Sequence, residues 1–124
     1  MAEKVAILGA SDKPERYAHM AFVMLKEHGH TPLPIHPNLK SVDGVSVTPS
    51  LKDIKSPVDT LTMYVNPSIS TKMKADILAL KPKRVIFNPG SENPELVVAL
   101  KKAGIHTVHA CTLVLLRTGQ FETA

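Results

Sequence analysis

The stretch KVAILGASDKPER, residues 4–16, decides how the rest of the chain folds on paper. An apolar run at 5–8 ends in Gly9-Ala10-Ser11, a polar loop with Pro14 follows, and amphipathic spacing begins at Tyr17. Buried strand, tight turn of small residues and helix are the opening of a βαβ unit. A turn without bulky side chains lets backbone N–H groups and a helix N-terminus come close to a phosphate. The chain therefore starts on a candidate nucleotide-phosphate site.

The same alternation runs to the other end. Tyr17, Ala21, Met24, Leu25 and His28 recur at helical spacing, and Gly29 can close that helix. Residues 31–35 form a second strand, short because two prolines interrupt it. The turn-rich segment 37–57 holds a strand at 45–47 and a brief helix starting at Thr48-Pro49, where proline suits the first helical position. A strand at 59–65 puts Leu61, Met63 and Val65 on one face, and Ile69, Met73, Ile77 and Leu80 then repeat at helical spacing. Residues 84–87 are the next strand. Asn93-Pro94-Glu95 supplies an N-cap, a proline at N1 and a first-turn acid for a helix that Gly104 can end. A last strand at 105–109 and a short helix at 111–117 complete the pattern.

Strands separated by helices imply right-handed crossovers and a parallel sheet buried on both faces. The predicted fold is α/β: a single Rossmann-like doubly wound domain spanning 1–124, with a mainly parallel sheet of five or six strands. At 124 residues, 44% apolar and 21% charged, the chain has an ordinary globular composition. No apolar run approaches the roughly 20 residues that cross a bilayer, and the start lacks a basic segment leading into an apolar one. A cytoplasmic location with no membrane partner is the expectation. The single cysteine, Cys111, excludes an internal disulfide and fits a reducing compartment. The formal net charge of +4 is scattered in ones and twos, with three Phe, two Tyr and no Trp, which argues against nucleic acid as a partner.

Ligands of open parallel sheets sit outside the carboxyl ends of the strands. The residues that follow the predicted strands are alike in kind: Gly9-Ala10-Ser11, His36-Pro37-Asn38, Asn66-Pro67-Ser68, Asn88-Pro89-Gly90-Ser91 and Ala110-Cys111-Thr112. Asn and Ser supply hydrogen bonds, Pro stiffens the backbone and Gly permits close approach. The turns at the other end, such as Leu80-Lys81-Pro82-Lys83, are charged connectors. The common nucleotide signatures are missing. The first loop carries Gly9 alone rather than G-x-G-x-x-G, no Walker A sequence occurs, and no acid lies between Glu27 and Asp43, where an NAD site wants one for the ribose.

With these loops in view, the chain resembles the small stand-alone CoA-binding proteins, which are similar to the CoA-binding domain of the succinyl-CoA synthetase alpha subunit and of acyl-CoA synthetases. The likeness rests on G-A-S with downstream Pro14 and Arg16, on I-H-P-N at 35–38 and on V-N-P at 65–67. F-N-P-G-S-E-N at 87–93 and C-T-L-V-L-L-R-T-G at 111–119 extend it over nearly the whole chain. The resemblance implies that Gly9, Ala10 and Ser11 face the diphosphate of coenzyme A through N–H and hydroxyl groups, with Lys13, Pro14, Arg16 and Tyr17 beside them. It places His36, Pro37 and Asn38 against the adenosine, Val65, Asn66 and Pro67 along the ligand's path, and Asn88, Pro89 and Gly90 on the pantetheine side. A phosphorylated carrier suits such a site, with donors and cations at one end and apolar walls at the other. The synthetase alpha subunit also needs a second domain with a phosphorylated histidine, for which this sequence has no room.

The remaining chemistry-bearing residues have plainer explanations. Cys111 lies in an apolar stretch and reads as a small buried hydrophobe. The six histidines lack a partnering carboxylate or cysteine at ligand spacing, so no metal site is expected. Glu92 and Glu95 favour a helix start, and no acid–base dyad emerges. Met20, Met24, Met63 and Met73 fall on core-facing positions. The expectation is thus a CoA- or acyl-CoA-binding protein with no catalytic residue identified. The alternatives are an NAD(P)-binding oxidoreductase or redox sensor, and an accessory subunit of an acyl-CoA ligase or transferase. A homodimer or a protein partner is open on either view.

Overall fold

A computed structural model describes residues 2–124. Five strands form one all-parallel sheet in the order β2-β1-β5-β6-β7: β1 (Lys4–Leu8), β2 (Thr31–Ile35), β5 (Thr60–Met63), β6 (Arg84–Phe87) and β7 (His106–His109). A two-stranded antiparallel hairpin, β3 (Ser41–Val42) and β4 (Val45–Ser46), interrupts the sequence between β2 and β5. Helices α1 (Tyr17–Glu27), α2 (Pro67–Lys72), α3 (Lys74–Leu80), α4 (Pro94–Lys102) and α5 (Thr112–Arg117) complete the chain, with a 3-10 turn at Leu51–Asp53. This is the predicted doubly wound Rossmann-like α/β fold.

Alternation along the strands divides the interior into two layers. Ala6, Leu8, Leu61, Met63, Val85 and Phe87 pack with Ile77, Leu96 and Leu100 on one side of the sheet. Val5, Ile7 and Ile86 pack with Ala18, Phe22 and Leu25 of α1 and Leu115 and Leu116 of α5 on the other. On that second side the central strand β5 carries Thr60 and Thr62, fully buried polar residues that need internal partners. Thr60 Oγ1 donates to Glu3 at 2.6 Å and accepts from Arg84 Nε at 2.7 Å. The Arg84 guanidinium also pairs with Glu3 at 3.2 Å and donates to the carbonyls of Phe121 and Ala124, tying both chain ends to the sheet.

The local departures from sequence expectation have identifiable causes. The buried stripe of α1 is Ala18, His19, Ala21, Phe22 and Leu25, while Tyr17 and His28 are exposed and Met24 is half-buried. Phe22 centres that stripe, and the alanines let the helix come close to β2 and α5. The spacing from Ile69 to Leu80 is divided into α2 and α3 at Met73, which has φ −99° and ψ 6°. Asn93 Nδ2 reaches across from the start of α4 to Ser70 Oγ at 2.8 Å and Thr71 Oγ1 at 2.9 Å, holding α2 in place while α3 buries Ile77 beside Leu51. The brief helix at Thr48-Pro49 starts later, at Leu51, because Ser50 Oγ caps the Lys52 N–H. The strand at 45–47 is one side of the β3–β4 hairpin, whose signal was Asp43-Gly44 with φ of 47° and 83°.

Candidate ligand cavity at the switch point

Because every strand of the sheet is parallel, all five small-residue and Asn/Pro loops lie at one end of it. Chain direction across the sheet reverses between β1 and β5, and in this strand order that crevice is the usual ligand position. A cavity of about 660 Å³ opens there. The β1–α1 loop lines it with Gly9, Ala10, Ser11, Asp12, Lys13, Arg16 and Tyr17, the end of β2 with Ile35, His36 and Pro37, and the β5–α2 side with Tyr64, Val65, Ile69 and Met73. Nine of the residues singled out from sequence are therefore together: Gly9, Ala10, Ser11, Lys13, Arg16, Tyr17, His36, Pro37 and Val65.

The donors of the β1–α1 loop are not all free. The N–H groups of Gly9 and Ala10 both bond to the Ile35 carbonyl, at 3.2 and 3.1 Å, so they fasten the loop to β2. Ser11 Oγ accepts from the Lys13 N–H at 3.1 Å. The first-turn amides of α1 are different: its N-cap, Arg16, makes no side-chain cap, and no acid occupies the first turn. Among the described residues the N–H groups of Ser11, Asp12, Tyr17 and Ala18 have no protein partner, and all four residues line the cavity. Lys13 and Arg16 form no ion pair among the described residues and are exposed at its mouth. Free amides, an uncapped helix start and two unpaired cations converge on one end of the cavity, while Leu8, Ile35, Leu39, Val65 and Met73 wall the rest.

Pro14, Asn38, Asn66, Pro67, Asn88, Pro89 and Gly90 lie outside the lining, and several have internal work. Asn66 Oδ1 caps α2 through the Ile69 N–H at 3.1 Å. Asn38 N–H donates to His36 Nδ1 at 3.0 Å. The Asn88 side chain is buried: its Nδ2 donates to Thr62 Oγ1 at 2.7 Å and to the Met63 carbonyl at 2.9 Å, and its Oδ1 accepts from the Thr112 N–H at 2.9 Å. Pro89 and Gly90 are exposed on the same rim.

Sequence reasoning overlooked Tyr64, which lines the cavity two residues beyond Thr62. Its hydroxyl is buried beside Thr62 and Thr112, which bond each other at 2.8 Å, and it has no hydrogen-bond partner among the described residues. Burial pushes its phenol up to about 12. Only its place after a strand could have marked it.

His19, His30 and His109 have structural partners. His19 Nε2 lies 3.0 Å from Asp43 Oδ2, joining α1 to the hairpin, and His109 stacks on Phe87. His30, buried against Phe121, accepts the Glu3 N–H on Nδ1, and burial lowers its pKa against the opposing charge of Glu3. No group of three or more His, Cys, Asp or Glu that could hold a metal occurs among the described residues. No helix there is long and apolar enough to cross a membrane.

Fold and cavity define a doubly wound α/β protein with a ligand crevice at the switch point of its sheet. The chain belongs to the CoA binding domain family, whose model matches residues 3–117. It is similar to YneT of Bacillus subtilis (strain 168), 30% identical over 103 residues that make up 83% of this chain and 76% of YneT. A solved structure from Thermus thermophilus, cell-free ID.343, matches with a TM-score of 0.88 at 36% identity, over 97% of this chain and 91% of that one. The dinucleotide-forming acetyl-coenzyme A synthetase 1 of Ca. Korarchaeum cryptofilum, solved with phosphate and ADP, shares the fold: its TM-score is 0.75 at 19% identity, over 87% of this chain and 25% of the synthetase chain.

Proposed function

We propose that this protein binds coenzyme A or an acyl-CoA in the switch-point cavity, with residues 1–124 acting as one binding unit. The observation that carries the proposal is the pairing of amides at Ser11, Asp12, Tyr17 and Ala18 with the cations Lys13 and Arg16, all without partners among the described residues. Such a donor set fits a diphosphate, which needs several N–H groups and positive charge at short range. The apolar wall suits adenine, and about 660 Å³ falls in the ~300–1,000 Å³ range of small-molecule sites.

In this arrangement Gly9 and Ala10 shape the phosphate loop and the amides after them contact the ligand. His36, Pro37 and Asn38 border the adenosine. The pantetheine arm leaves past Val65, Asn66 and Pro67 toward Pro89 and Gly90, with Asn88 holding that rim from inside. An NAD enzyme is disfavoured because the end of β2 carries His36 where the free dinucleotide ribose wants an acid.

Isothermal titration of the full chain with CoA, NAD and ATP tests the proposal. Saturable binding of CoA in preference to NAD is expected; binding of NAD without binding of CoA overturns it. Mass spectrometry of any small molecule released from the purified protein on denaturation gives an independent check, with CoA or an acyl-CoA expected.

A further inference from the structure

We infer that His36 makes this cavity selective for a nucleotide whose ribose carries a phosphate over one with a free ribose diol, an inference that rests on the CoA proposal above. The backbone N–H of Asn38 donates to His36 Nδ1 at 3.0 Å. An amide N–H can only donate, so Nδ1 is unprotonated and the proton of the neutral ring is on Nε2. Among the described residues Nε2 has no protein partner, and His36 lines the cavity. The imidazole therefore has one polar group left for a ligand, and that group is a donor.

The main chain that carries the ring is also held in place. The His36 N–H donates to the Thr48 carbonyl at 3.1 Å, the Thr48 N–H donates back to Pro34 at 3.0 Å, and Pro37 follows directly. A site for a free diol carries a carboxylate at the end of its second strand, which accepts from the ribose hydroxyl; a site for a phosphorylated ribose replaces that acceptor with a donor or cation. Here the corresponding position offers an N–H, Lys40 follows four residues later, and residues 28–42 contain no carboxylate. Asp43, the next acid, is engaged by His19. A donor beside a phosphate forms a charge-assisted hydrogen bond, and a diol in the same place loses it. Coenzyme A and 3′-dephospho-CoA differ in that phosphate and nothing else.

Calorimetric titration of the full chain with these two ligands reads the selectivity directly. The wild-type protein is expected to bind CoA about fivefold tighter than dephospho-CoA, or better; a smaller ratio overturns the inference. This comparison needs no variant and stands even where a substitution unfolds the chain. His36→Gln, whose amide keeps a donor, should retain the preference, whereas His36→Glu, which installs an acceptor, should abolish or reverse it. A His36→Glu protein with the wild-type ratio overturns the role given to His36. Equal binding of both ligands leaves the CoA proposal standing and removes the selectivity alone; binding of neither removes both.

Discussion

A β-carbon on Gly9 would lie 2.8 Å from Val65 Cγ1 and 3.0 Å from the Tyr64 carbonyl oxygen. The glycine at the end of β1 is thus required by the loop after β5, which packs directly over it, and its φ of 88° is also one that side chains rarely adopt. The two walls of the cavity meet at this contact.

Gly9→Ala should destabilise the fold by about 2 kcal/mol, from backbone strain together with the collision at Val65. Adding Val65→Ala should recover the part due to Val65 Cγ1 and leave the backbone strain and the contact with the Tyr64 carbonyl. Urea unfolding of the single and double variants measures both. Equal stability of Gly9→Ala and the parent would show that the loops do not meet as described.

Lys13→Ala and Arg16→Ala should each weaken CoA binding about tenfold, the scale of one charge-assisted phosphate contact. Both side chains are exposed and unpaired among the described residues, so folding stability should move by less than about 0.5 kcal/mol. The dependence of affinity on salt should flatten in both variants. Titrations at two ionic strengths supply the comparison.

Asn88→Ala should cost about 2–4 kcal/mol, because it strips partners from Thr62 Oγ1, the Met63 carbonyl and the Thr112 N–H in a dry interior. Thermal unfolding without ligand distinguishes this from a pure ligand contact, whose loss would leave the unliganded protein as stable as before.

Tyr64 predicts an alkaline weakness. Its phenol in the folded protein is raised from the ordinary value of 10.0 to about 12. The unfolded chain therefore releases that proton first, and the stability due to the neutral phenol, complete below pH 10, fades as pH climbs through about 12. Tyr64→Phe should lose less stability than the parent between pH 9 and pH 11, by about 1 kcal/mol. Denaturant unfolding at the two pH values checks the difference.

Much of the architecture was legible in advance. Buried strands announce themselves as apolar runs such as 5–8, and Asn93-Pro94-Glu95 marks a helix start through local hydrogen bonding alone. The Asp43-Gly44 turn, with φ of 47° and 83°, carries an equally local hairpin signal. What could not be read locally was the break at Met73, since it depends on Asn93 reaching α2 from a later crossover.

By itself, then, the order of residues determined the alternation of strands and helices, and through it the gathering of every loop after a strand at one end of a parallel sheet. That follows because crossover handedness and two-sided burial leave few topologies. Only the tertiary structure decided which polar groups in those loops are free. Gly9 and Ala10 have their N–H groups bonded to Ile35 and Asn88 has its amide bonded around Thr62, whereas among the described residues the N–H groups of Ser11, Asp12, Tyr17 and Ala18, the side-chain cations of Lys13 and Arg16, and His36 Nε2 stay free. A donor's availability depends on which acceptor lies within 3.5 Å, and those acceptors come from strands distant in sequence.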